Sequence, residues 1–163
     1  MIGVVARSAV YELLALPLAF TRVRTRLRVP RLLLREPVGA HNASPYRCLI
    51  QSVLSGAVGL LGWFLATLTV LVLVRGLAYP LVGADGYENS WGGPTLAGAW
   101  LVHAVLGVVI APLFLAVIAL LGRLQLRVTR TVLGGDRSWW AIAVAVVLAA
   151  AGGLFFVAWV QQI

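Results

Sequence analysis

The chain has no lysine, a single cysteine and only five acidic residues among 163. One thiol, Cys48, excludes an internal disulfide and a multi-cysteine metal centre, and it reads as inert. His41 and His103 lie far apart, so they cannot complete a zinc site that needs about four ligands. No glycine-rich phosphate loop ending in Lys and Ser/Thr, no Gly-x-Ser-x-Gly elbow and no Glu-x-x-His pair is present. The expectation is a protein that is not an enzyme and carries no cofactor or metal. Charged residues make up 11% of the chain, against about 25% in a soluble domain. The length suits one small bundle without a separate catalytic domain.

What the sequence has instead is long uncharged runs. Residues 48–74, 89–122 and 138–163 contain no Asp, Glu or Arg. A helix crosses the roughly 30 Å hydrocarbon core of a bilayer with about 20 apolar residues, and each run is long enough. The predicted fold is all-α: an integral membrane bundle of three transmembrane helices over about 50–75, 97–121 and 139–161. The formal net charge is +8, but the arginines flank apolar runs, where they read as orientation signals and headgroup contacts. The expected partner is the lipid bilayer, not nucleic acid.

Arginine asymmetry predicts topology. Eight arginines fall within 1–47 and four within 122–138, while the connection around 75–97 has Arg75 against Asp85 and Glu88. Arginine-rich short loops stay cytoplasmic. This predicts a multi-pass cell-membrane protein with a cytoplasmic N-terminus, an outer loop from Tyr79 to Trp91 and an outside C-terminus. Two regions follow: an arginine-rich cytoplasmic or interfacial segment over 1–47, and a three-span membrane domain over 48–163. Within the first, Ser8 to Phe20 is apolar but short and holds Glu12 and Pro17, which suits an interfacial or re-entrant segment. Arg22, Arg24, Arg26 and Arg28 occupy alternate positions, which a helix would scatter around its surface. An extended or irregular arm on anionic headgroups is expected there.

Small residues mark where helices can touch: Gly56, Gly59 and Gly62; then Gly107 and Ala111; then Ala145, Ala149 and Gly153. Pro112 removes one backbone bond and is expected to kink the second span. The connection beyond that span sets Arg123, Arg127 and Arg130 at spacings of four and three, so a continuing helix would gather them on one face. Gly134-Gly135 should stop it. These arginines are candidate contacts for headgroups or an acidic partner. In the outer loop, Tyr79, Asp85, Tyr87, Glu88 and Trp91 are candidate ligand contacts, although aromatics at span ends also serve as interface anchors. His103 joins them as an ionisable group inside a span, with a bond to a backbone carbonyl as the structural alternative.

Tyr79-Pro80-Leu81, the run Trp91-Gly92-Gly93-Pro94-Thr95-Leu96-Ala97-Gly98-Ala99-Trp100-Leu101-Val102-His103-Ala104, and Gly122-Arg123-Leu124-Gln125 through Leu133-Gly134 together resemble a sensor domain. That family stands at the N-terminus of sensor histidine kinases in high-GC Gram-positive bacteria. The all-arginine basic complement fits a high-GC coding sequence. The resemblance covers about residues 45–135, the second half of the family's domain. Tyr11 to Leu18 is similar to the opening of its first repeat, and a domain without a kinase module is expected. It implies a non-enzymatic membrane sensor or signalling domain that acts through a membrane-protein partner or a homodimer. The alternative is an accessory subunit of a larger membrane complex such as a transporter.

Overall fold

Helix breakers and apolar runs divide the chain into six α-helices among the described residues, which are 2–41, 43–82 and 86–162 of a computed structural model. In chain order they are α1 (Ile2–Leu18), α2 (Val23–Leu33), α3 (Pro45–Leu77), the single turn α4 (Tyr79–Val82), α5 (Leu96–Leu133) and α6 (Trp139–Val160). A 3-10 turn covers Tyr87–Asn89. The described residues are 81% helical and include no strand. Three helices are long and apolar enough to cross a membrane: Pro45–Leu77, Leu96–Leu133 and the Trp139–Ala158 part of α6. The first two contain the expected spans 50–75 and 97–121, and the third covers the expected 139–161 except its last few residues.

Two of them overrun those spans. α5 has 38 residues and continues through Pro112 to Leu133, carrying Arg123, Arg127 and Arg130 on helix as their spacing implied. It stops before Gly134, and Gly135 takes a φ of 81°, a backbone state that favours glycine and closes helix C-termini.

The region 21–35 departs from the sequence expectation. It is not an extended arm, because Val23–Leu33 is helical. At about 3.6 residues per turn, Arg24, Arg28 and Arg31 fall on one face while Arg26 points the opposite way. Alternation therefore sorts the arginines instead of scattering them. The apolar face of α2 packs Leu27, Val29 and Leu33 against a buried cluster of Tyr11, Val38 and Leu126. That burial supplies the stability an 11-residue helix lacks alone.

The helices form two compact units. One comprises Met1–Trp63 and Ile118–Ile163, the other Phe64–Val117. In the first, α1 lies in a notch of small residues. A Cβ added at Gly59 would meet the backbone of Leu16 at 2.7 Å, and one at Gly62 would meet Glu12 Cγ at 2.7 Å. One at Gly122 would collide with the Ser8 carbonyl. Only glycine allows this approach. α1 has 17 residues and is thus about 25 Å long, shorter than the bilayer core of about 30 Å. α6 seats Ala141 and Ala145, both at 0% exposure, with Gly152 facing Leu61. In the second unit, Gly76 lies against the His103 carbonyl and Gly107 against that of Val72.

Candidate functional site

In the first unit, polar side chains meet along the seam where α1 and α2 join α3 and α5. Arg26 is 8% exposed and places its donors on five acceptors. Nε donates to the Thr21 carbonyl at 2.9 Å, Nη2 to that of Ala19 at 2.7 Å, and Nη1 to that of Cys48 at 3.3 Å. Nη1 also donates to Gln51 Oε1 at 2.7 Å and Ser52 Oγ at 2.6 Å. The guanidinium thus closes the chain exit from α1, where helix carbonyls lack intrahelical partners, and ties it to the first turns of α3. Gln51 Nε2 continues to Ser55 Oγ at 2.7 Å and Thr129 Oγ1 at 3.5 Å. Tyr11 hydrogen-bonds the Thr129 side chain from α1.

Glu12 is handled differently. It has 0% exposure and sits over Gly62, with its Cβ beside Gly122. Neither carboxyl oxygen has a hydrogen-bond partner among the described residues, and Gln125 Oε1 is equally unpartnered. Burial pushes the carboxyl up to about 8, because a charge moved from water into packed side chains is destabilised. Nearby, Trp63 Nε1 donates to the Leu13 carbonyl at 2.9 Å. Pro17 lacks the N–H that would occupy that carbonyl, so α3 supplies a donor that α1 cannot.

The expected arginine contacts divide. Arg22, Arg24, Arg28, Arg123 and Arg127 are exposed, as a surface contact requires. Arg127 also stacks over the Trp140 ring at 4.8 Å. Arg130 pairs with Glu36 at 2.6 Å. Arg26 is the correction: it is an internal fastener and not a surface contact, since its position on α2 turns it toward α3. An open cleft of about 620 Å³ lies among His41, Arg47, Ile50, Thr131, Asp136 and Ile142. Arg47 Nη1 donates there to the Val132 carbonyl at 3.3 Å.

In the second unit, the outer-loop candidates do not converge. Tyr79 is buried and its ring stacks on His103 with centroids 4.2 Å apart. His103 Nδ1 lies 2.8 Å from the Ala99 carbonyl, the backbone-satisfied alternative. Trp100 Nε1 donates to the Leu77 carbonyl at 3.3 Å. Glu88 and Trp91 are exposed and Tyr87 is half-buried, while Asp85 lies outside the described residues. The structure brings Tyr79 and His103 together as packing, and among the described residues gathers no ligand set around Glu88.

Of the small residues, Gly59, Gly62, Gly107, Ala111 and Ala145 line close contacts, and Gly56 and Ala149 are half-buried. Gly153 is exposed with nothing within 4 Å, so the packing stripe of α6 turns through Gly152 instead. No group of three or more metal-ligating side chains occurs among the described residues. Comparison with protein-family models, curated proteins and solved structures finds no match.

Proposed function

We propose that the chain is a non-enzymatic membrane signalling domain that acts through a partner. Its outer loop receives the stimulus, and its arginine-bearing faces engage the partner or anionic headgroups. The observation that carries this reading is the continuity of α5, a single helix from Leu96 to Leu133. It holds the Tyr79–His103 clasp near one end and Arg123, Arg127 and Arg130 near the other. In this reading the N-terminus and those arginines are cytoplasmic and the C-terminus lies outside, an orientation that the arginine asymmetry supports. The resemblance of Trp91 to Ala104 to the histidine-kinase sensor domain supports the same assignment.

Co-purification from native membranes tests it. A partner present at stoichiometric ratio, retained through Arg24, Arg28 and Arg31, supports the proposal. Replacing residues 80–94 with an inert linker of equal length should leave that partner bound and change its output. An unchanged output would remove the sensing role. The accessory-subunit reading draws on Gly153, whose open surface beside Leu154 would accept a neighbouring helix. A transporter-type partner, lost on Gly153→Leu substitution, would favour it.

A further inference from the structure

The orphaned carboxyl of Glu12 is the largest unsettled polar feature among the described residues. Three oxygens on one seam lack partners: both from Glu12 and Oε1 of Gln125. All three are acceptors if the carboxyl is ionised, so they have nothing to offer one another. Gly122, Gln125 and Thr129 lie along one stripe of α5. Glu12 Cβ approaches that stripe at Gly122, and Tyr11 bonds it at Thr129, so Gln125 stands between two points of α1 contact.

Among the described residues, no charged side chain bonds the Glu12 carboxyl. α3 presents Gly59, Gly62 and Trp63 to α1, and α5 presents Gly122, Gln125 and Thr129. The charges nearest in sequence to the contact on α1 and α5 are Arg7 and Arg123, and both are exposed. Arg130 faces Glu36, and the donors of Arg26 are engaged on Ala19, Thr21, Cys48, Gln51 and Ser52. A hard metal cation such as calcium would want six to eight oxygens, more than these three. One proton resolves most of the deficit: it turns a Glu12 oxygen into a donor, and Gln125 Oε1 is an acceptor without a donor.

We infer that Glu12 is a proton-binding site whose carboxyl takes up a proton from water as α1 seats on the glycine notch of α3 and α5, and returns it when α1 leaves. No other bond is made or broken. The direction of the pH effect follows from linkage. Below the ordinary value of 4.5 both seated and unseated α1 carry the proton, and nothing is lost. As pH rises from 4.5 towards about 8, the unseated carboxyl ionises first and seating weakens. The seating equilibrium falls by up to about tenfold per pH unit across that window.

The whole chain in lipid nanodiscs allows a direct test by infrared titration, comparing wild type with E12Q. A spin-label distance between V5C and V53C, in a Cys48→Ser background, reports whether α1 is seated. The expected result is a protonated-carboxyl band at neutral pH that E12Q removes, with wild-type seating falling as pH rises and E12Q seating constant. E12D, which keeps a titratable group, should retain a shifted band, and provides the comparison if E12Q does not insert. Absence of the band, or the same pH response in wild type and E12Q, would overturn the proposal. So would a distance that follows sodium concentration at fixed pH, which would make this a metal-cation site.

Discussion

His103 and Glu12 are both ionisable side chains set among packed helices, and the two units treat them in opposite ways. In the Phe64–Val117 unit, His103 finds the Ala99 carbonyl one turn back on its own helix and the Tyr79 ring beside it. Its needs are met locally. In the other unit, Arg26 engages five acceptors drawn from two segments, the α1–α2 connection and the start of α3, while Glu12, one helix earlier, has none. A locally satisfied group can be removed with limited consequence. A group satisfied by distant segments holds those segments together, and an unsatisfied one marks a place where something must bind or leave. By that measure the N-terminal segment, and not only the Tyr79–Trp91 loop, carries the chain's unusual chemistry.

The sharpest way to break this contrast is Arg26→Ala. It strands the buried Gln51 Oε1 and the Ala19 carbonyl, each at about 1–3 kcal/mol, for a total of about 2–6 kcal/mol of stability in the first unit. Arg26→Lys should recover only part of this, because one ammonium cannot reach five acceptors in a fork. Chemical unfolding in detergent micelles, followed by circular dichroism, measures both. Equal stability of the alanine variant and wild type would reduce Arg26 to a surface residue.

Next in size is the notch. Gly62→Ala puts a methyl within 2.7 Å of Glu12 Cγ, and overpacking of this kind costs about 1–3 kcal/mol. Gly153→Ala meets nothing within 4 Å and should be neutral or stabilising by about 0.5–1 kcal/mol, the usual gain for alanine over glycine in a helix. The pair separates glycines that pack from one that does not, read by the same unfolding assay.

His103→Ala should cost about 1 kcal/mol, for one hydrogen bond and one ring contact. Arg130→Gln should cost less than about 1 kcal/mol and lose its effect in high salt, because both partners of the Arg130–Glu36 pair are partly exposed. Thermal melts at two ionic strengths distinguish these two variants.

Much of the architecture was legible because membrane helices are written in composition. The uncharged runs gave the spans, and the four-and-three spacing of Arg123, Arg127 and Arg130 with Gly134-Gly135 after it gave the course and end of α5. At 21–35 the alternation of Arg22, Arg24, Arg26 and Arg28 mimics the period of an extended chain, although Val23–Leu33 is helical. Extending the count to Arg31 shows the four-and-three spacing from Arg24, with Arg26 opposite. In the sequence, Glu12 is only a charge that interrupts the apolar run Ser8 to Phe20. Its burial depends on Gly62 and Gly122, 50 and 110 positions away in sequence, and no local pattern encodes such a meeting. The same holds for Trp63 completing the carbonyl that Pro17 leaves open.

The central claim is that α1 and α2 are fastened parts of the first unit and not an arm lying on the membrane surface. Amide hydrogen exchange of the chain in nanodiscs tests it most directly, since protection tracks the free energy of local opening. The account predicts slow exchange across the interior of α1 and the amides of Val23–Leu33 other than Pro30, with Arg26→Ala accelerating both regions together. Rapid exchange of 23–33 in the wild-type chain, at the rate of an exposed coil, would contradict it.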